Sequence, residues 1–261
     1  MAQKTNSPPK ISVVIITLNS EHQLEKCLDS IGPVNEILII DGGSTDRTRD
    51  IARRFGAKIF IKKWPGNFSE QKQFAVSKAK NDWVFAIDSD ECLSPELRKL
   101  LSTIELASDT CAYMFLRQNL FLSKKVRFSG WQNDYVIRLF NRNRCKYDGR
   151  RVHEKIIGYD QIERRSERLI HDSYPDVETV QRKVNHYSLL GAALLDSSTH
   201  RKVRLEFPYV RATWSFFRSF FLQLGFLDGF TGLRISKMNF RYTLKKYDIY
   251  RKRRLARKLS L

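Results

Sequence analysis

Asp88-Ser89-Asp90 follows the apolar run Trp83–Ile87 without a break. Alternate residues of an extended segment point the same way, so carboxylates at i and i+2 can reach one hard divalent cation, Mg²⁺ or Mn²⁺, together with diphosphate oxygens. Two further polar clusters also follow apolar runs: Thr17-Leu18-Asn19, and Asp41-Gly42-Gly43-Ser44-Thr45-Asp46. The Gly-Gly turn lets backbone approach a ligand closely, and Asp41 can accept hydrogen bonds from a base N–H or a ribose hydroxyl. The same turn reads equally as a plain strand-to-helix connection with Asp46 in the first helical turn.

The elements that must position these clusters are visible in the hydrophobic periodicity. Ile11–Thr17, Glu36–Ile40, Lys58–Ile61 and Trp83–Ile87 are β-branched, apolar runs of the kind buried on both faces of a sheet. Glu21–Ile31, Ser44–Phe55, Ser69–Lys80 and Pro95–Leu106 carry helical spacing or cap signals. This βαβαβαβ order predicts an α/β fold: a Rossmann-like, mostly parallel sheet, right-handed crossovers, and helices on both faces. Ligands bind beyond the carboxyl ends of such strands, which is where all three clusters fall. After Thr110 the rhythm changes. Ala112–Phe128 and Tyr135–Phe140 read as strands extending the sheet, and Pro175 opens a helical pattern to Ser198. The expected division is a tail at 1–10, a ligand-binding half at 11–110, a second half of the same domain at 111–200, and a basic helical extension at 201–261.

Composition narrows the class. With 261 residues and 42% hydrophobic content the chain can build a sizeable core and is no low-complexity polymer. Lys and Arg number 47 against 28 acids, a net charge of +19. Residues 201–261 hold 16 of the basic side chains and three acids, beside Trp214, Phe217, Phe221, Leu227 and Phe230. Basic residues next to large apolar ones suit an element lying on an anionic membrane surface. A basic stripe also suits nucleic acid, but no nucleic-acid-binding motif accompanies it; a core helix with a solvated tail is the plainer reading. No apolar run approaches the roughly 20 residues of a membrane span, and Met1–Lys10 lacks a signal-peptide core, which predicts a cytoplasmic protein. Cys27, Cys92, Cys111 and Cys145 are widely spaced and read as reduced packing thiols.

ISVVIITLN, EILIIDGGSTD and AIDSDE together resemble the nucleotide-binding signatures of family 2 glycosyltransferases, inverting, metal-dependent enzymes of the GT-A fold that use nucleotide-diphospho-sugars. The resemblance covers Ile11–Leu101. It implies that Thr17 and Asp41 meet the base and ribose, Asp88 the nucleotide and Asp90 the metal, with Asn19 and Ser89 in the same binding clusters. Further along, Gly130-Trp131, Asp134, Arg138-Leu139-Phe140, Val152-His153-Glu154 and Gly225–Gly229 are similar to bacterial lipopolysaccharide inner-core glucosyltransferases, which implies UDP-glucose as donor, a lipid-linked heptose acceptor and the inner face of the cytoplasmic membrane. The Gln-x-x-Arg-Trp signature of processive synthases is absent, so a single transfer is expected. An inverting transfer needs a base for the acceptor hydroxyl. Glu154 is the first candidate, Asp134 the second and Glu91 the third. His171, just before the long helix, stands where similar enzymes place a late metal or diphosphate ligand; His153 is a weaker candidate. Arg138, Arg142, Arg144, Arg150 and Arg151 form a basic cluster suited to diphosphate or a phosphorylated acceptor.

Two other classes compete. A nucleotidyltransferase would also hold nucleotide and metal on carboxylates, but Thr17-Leu18-Asn19-Ser20 contains neither the glycine nor the basic residue of its phosphate loop. A non-catalytic membrane- or nucleic-acid-binding module would explain the tail. It leaves the crowded carboxylates unexplained, because like charges are costly together without a cation.

Overall fold

The computed structural model describes residues 9–106, 110–151, 154–197 and 207–259. Most of the expected 1–10 tail therefore lies outside the described residues. Strands and helices alternate as the periodicity predicts: β1 (Ile11–Thr17), α1 (Glu21–Ile31), β2 (Glu36–Asp41), α2 (Thr48–Arg54), β3 (Lys58–Ile61), α3 (Phe68–Lys78) and β4 (Trp83–Asp88). Then come β5 (Glu91–Leu93), α4 (Pro95–Thr103), β6 (Ala112–Phe121), β7 (Lys124–Lys125), β8 (Tyr135–Asn141), β9 (Lys146–Tyr147), β10 (Ile156–Ile157) and β11 (Ile162–Tyr174). Three helices close the chain: α5 (Val177–Ser197), α6 (Pro208–Phe217) and α7 (Gly229–Leu259).

The nine-stranded sheet runs β3-β2-β1-β4-β8-β6-β11-β5, with β7 paired to β6. Its first four strands are parallel. β8 joins β4 antiparallel, and β6 joins β8 antiparallel. The chain separates into two compact units: 1–118 with 133–171, and 119–132 with 172–261. These interleave, whereas the sequence reading divides the chain into consecutive stretches.

In the first unit β1 is buried on both faces. Val13 and Ile15 join Leu24, Cys27 and Leu97 in one core, while Val14 joins Ala75 and Val76 in the other. Strand alternation thus seats α1 and α4 on one face and α3 on the other. Caps set the helix starts. Asn67 accepts from the Glu70 N–H ahead of α3, and Ser94 accepts from Leu97 N–H ahead of α4, where Pro95 fills the first position. All four cysteines are free thiols.

Three expected boundaries move, each for a local reason. α2 begins at Thr48 rather than Ser44, because the backbone N–H groups of Gly43, Ser44 and Thr48 are bound to the Asp41 and Asp46 side chains. The strand expected over Ala112–Phe128 stops at Phe121. Leu122 and Ser123 adopt φ values of 49° and 60°, making a two-residue hairpin turn into β7. The sequence reading contains neither β5 nor β11. β5 has three residues, and β11 is a charged strand in which Arg165 pairs with Glu163 and Glu167, two positions to either side on the same face.

In the second unit α7 packs against α5 and α6. A π-helical turn (Arg218–Leu222) and a 3₁₀ turn (Gly225–Asp228) connect α6 to α7. The Asp228 carboxylate accepts hydrogen bonds from the N–H groups of Arg127 and Phe128, tying the 127–129 loop to that turn. No helix among the described residues is long and apolar enough to cross a membrane.

Candidate active site

The loops after β1 and β2 are built as one piece. Asp41 is fully buried. Its Oδ1 accepts from the N–H groups of Gly43 (3.2 Å) and Ser44 (2.9 Å), and its Oδ2 accepts from the hydroxyls of Thr17 (3.2 Å) and Ser44. Gly43 sits at φ 105°, a conformation that glycine alone adopts without strain. Asn19, at φ 49°, donates its N–H to Ser44 Oγ and accepts from Thr45 N–H through Oδ1, both at 2.9 Å. Burial favours the neutral form of Asp46, but hydrogen bonds from Thr48 and from the Glu21 N–H hold its carboxyl below the ordinary value. Ser89 reaches the Ser20 hydroxyl at 3.1 Å, which brings the loop after β4 to the same edge.

A chain of alternating charges runs through the first unit. Lys72, from α3, places Nζ 2.7 Å from Asp88 Oδ1 and 2.7 Å from Glu154 Oε1. Arg138, from β8, places Nη2 2.6 Å from Asp88 Oδ2 and 2.6 Å from Glu91 Oε1. Glu91 is fully buried, and its Oε2 accepts the Asp88 N–H. Arg117, from β6, lies 3.5 Å from Glu91 and grips Asp134 through two bonds of 2.9 Å. The chain therefore reads Glu154, Lys72, Asp88, Arg138, Glu91, Arg117, Asp134. Burial alone would raise the Asp88 carboxyl, yet the Arg138 and Lys72 charges hold it well below the carboxylate range. Burial would likewise lower Lys72, but Asp88 beside it keeps the ammonium protonated well above its usual value. The Arg138 Nε–H is buried with no partner among the described residues.

Asp88 and Asp90 take different partners. Ser89 and Asp90 form a turn between β4 and β5, and a turn cancels the alternation of an extended strand. Asp88 faces Lys72 and Arg138. Asp90 instead lies 3.6 Å from His171 Nε2, because β5 pairs with β11 in a register that sets His171 against Glu91. Among the described residues no three His, Cys, Asp or Glu side chains gather as a metal site. Asp90 and His171 supply an oxygen and a nitrogen, a partial donor set for Mg²⁺ or Mn²⁺ whose remaining ligands would come from a diphosphate.

The expected basic cluster disperses. Arg138 enters the charge chain, Arg144 pairs with Asp160, and Arg150 pairs with Asp148. His153 lies outside the described residues. Lys72 and Arg117 escaped the sequence reading, although each leaves a signal. Lys72 shares the buried face of α3 with Ser69, Ala75 and Val76, and a lysine there demands partners. Arg117 continues the alternate positions of Tyr113 and Phe115, both buried in the core.

These strand-end loops and their charge chain coincide with a family model, Glycosyl transferase family 2, which matches residues 12–164. The chain belongs to glycosyl transferase family 2. As a family 2 glycosyltransferase it has the GT-A α/β arrangement, with the long C-terminal helix α7 added. The chain is 31% identical over 190 residues to the lipopolysaccharide core biosynthesis glycosyltransferase LpsC of Rhizobium meliloti, covering 70% of each chain. It is 29% identical over 237 residues to an uncharacterized glycosyltransferase of Rickettsia bellii, covering 85% of this chain and 80% of that one. A solved structure of glucosyl-3-phosphoglycerate synthase from Mycobacterium tuberculosis, in complex with Mn²⁺, UDP and glucosyl-3-phosphoglycerate, is similar over 43% of this chain and 44% of that one, at 27% identity and a TM-score of 0.33.

Proposed function

We propose that this glycosyltransferase moves one glucosyl group from UDP-glucose to a heptose of the lipopolysaccharide core, with inversion at the anomeric carbon. The observation that carries the reading is Lys72 bridging Asp88 and Glu154, which couples the end of a nucleotide-side strand to a carboxylate of the second half. The relationship to LpsC supports the acceptor class. Thr17, Asn19, Asp41, Asp88 and Ser89 form the nucleotide-sugar side, with Asp41 acting mainly by shaping the turn whose backbone meets the nucleotide.

Glu154 is the general base. Its Oε1 is held by Lys72, which leaves Oε2 to take the proton of the acceptor hydroxyl. Asp134 is poorly suited to that role, since Arg117 occupies both of its oxygens. As the proton passes to Glu154, the acceptor oxygen bonds to the anomeric carbon on the face opposite the diphosphate, and the bond to the diphosphate oxygen breaks. Inversion follows from that geometry. Arg138 acts from behind Asp88, its guanidinium holding that carboxylate ionised beside the nucleotide. Asp90 and His171 would hold the divalent cation, which when bound offsets charge on the leaving group.

The second unit supports attachment to the inner face of the cytoplasmic membrane. Tyr209, Val210, Trp214, Leu222, Leu227 and Phe230 are each more than half exposed, an apolar surface uncommon on a protein bathed only in water. A panel of UDP-, GDP- and CMP-sugars, assayed for nucleotide release with Mn²⁺ and delipidated core saccharide, tests the function. UDP-glucose should give the highest acceptor-dependent turnover; turnover confined to another nucleotide sugar would refute the donor assignment.

A further inference from the structure

Within the second unit, a cavity of about 830 Å³ opens between α5, α7, the end of β6 and the start of α6. That size lies in the range of small-molecule sites. Its floor is apolar: Phe121 and Met238 belong to a buried cluster, with Leu122, Val180 and Val184 packed against it. Its rim is cationic. Arg234, Lys237, Arg241 and Lys245 recur every three or four residues along one exposed face of α7 and line the opening. The Arg234 guanidinium rests over the Phe230 ring at 4.5 Å, and Lys245 contacts the Asn185 side-chain carbonyl. Asp248, the one acid lining the cavity among the described residues, is engaged by Lys252 at 3.0 Å and Arg251 at 3.8 Å. Among the described residues, Arg234, Lys237 and Arg241 have no carboxylate partner.

An apolar floor under a row of uncompensated cations is complementary to an amphiphile whose anionic head and hydrocarbon tail are joined. We infer that this cavity binds a phosphate-bearing acyl lipid. Its phosphate meets the Arg234–Lys237–Arg241 stripe, and one acyl chain lies on the Phe121–Val184–Met238 floor. Guanidinium and ammonium groups recognise phosphate through charge-assisted hydrogen bonds, and each methylene removed from water adds to the affinity. An acidic protein segment would match the rim but has no need of a floor this deep. The cavity is lined by residues of the second unit alone and uses none of the charge chain, so its test does not depend on the donor, the acceptor or the catalytic base.

The test uses the full chain and dioctanoyl phosphatidate below its micellar concentration, so that vesicle adsorption through the exposed α6 surface does not contribute. Calorimetric titration should show saturable one-to-one binding. Dioctanoyl phosphatidylcholine and inorganic phosphate should each bind at least tenfold more weakly, because one carries a masked charge and the other has no tail. Lys237→Glu with Arg241→Glu alters two exposed side chains, and Val184→Trp fills the floor. Each change should weaken phosphatidate at least tenfold, while the melting temperature and UDP binding stay unchanged. If Val184→Trp unfolds the chain, Val177→Trp, at an exposed lining position, replaces it. Equal affinity for phosphatidylcholine, equal affinity for phosphate, or indifference to either the rim or the floor change would overturn the assignment. Tighter binding of an acidic amphipathic peptide that displaces the lipid would overturn it as well.

Discussion

Lys72 Nζ lies 2.7 Å from Glu154 Oε1, joining residues 82 positions apart in the chain. The same ammonium reaches Asp88 at the end of β4, so one buried cation neutralises two carboxylates that would otherwise repel. Removing Lys72 takes from Glu154 the cation that holds it and leaves Asp88 with Arg138 alone. Lys72→Met keeps the volume and deletes the charge. We expect it to destabilise the first unit by about 3–5 kcal/mol and to abolish transfer. Chemical denaturation checks the first outcome and a turnover assay the second; a variant with unchanged stability would show that the contact contributes nothing.

The same network makes a prediction about acid. The folded Asp88 carboxyl lies far below the ordinary carboxylate value, held there by Arg138 and Lys72 against burial. A depressed carboxyl contributes stability that is present above the unfolded value and lost as pH falls below it. The gap in melting temperature between wild type and Asp88→Asn should therefore be widest near neutrality and narrow below about pH 4. Thermal scans from pH 7 down to pH 3 measure it. A gap that grows on acidification would contradict the charge assignment.

Asp90 lies 3.6 Å from His171 Nε2, beside the end of the β5–β11 pairing. Asp90→Asn and His171→Ala should each weaken Mn²⁺-dependent UDP binding at least tenfold and leave metal-free UDP binding nearly unchanged. Titration of UDP with and without Mn²⁺ separates the two. An equal loss under both conditions would mean that these side chains support the loop and hold no metal.

The exposed apolar surface of α6 and the two turns that follow it should govern membrane attachment. Leu222→Asp with Leu227→Asp places charge on two exposed apolar positions and should reduce cosedimentation with anionic liposomes several-fold, while donor hydrolysis continues. High salt should weaken the wild type only in part, since apolar insertion is not screened. Binding equal to wild type would assign attachment to the basic residues alone.

Much of this architecture was legible before any coordinates. The β-branched runs of β1, β2 and β4 are buried on both faces as their composition demands, and the loops that follow them carry the predicted polar clusters. Asp41 illustrates the limit: its position was legible, but the four hydrogen bonds that bury it within its own turn depend on Thr17, 24 residues earlier, and on Ser44. The i, i+2 argument for Asp88 and Asp90 assumed an extended strand, and the chain turns at Ser89 and Asp90. The partners of Lys72 and Arg117, and the pairing of β5 with β11, were not legible, for a shared reason. Each is specified by contacts distant in sequence, and no local periodicity marks an ion pair between α3 and a loop 82 residues away.

The central claim is that Glu154 takes the acceptor proton in an inverting glucosyl transfer, and the anomeric configuration of the product tests it most directly. Wild-type protein, Mn²⁺, UDP-glucose and a delipidated heptose acceptor should yield a β-linked glucoside, read from its anomeric proton coupling by NMR. Glu154→Gln should bind UDP normally yet form that product about 10²–10⁴-fold more slowly, whereas Asp134→Asn should stay within about tenfold of wild type. An α-linked product, or a Glu154→Gln variant that transfers at the wild-type rate while Asp134→Asn is inactive, would contradict the account.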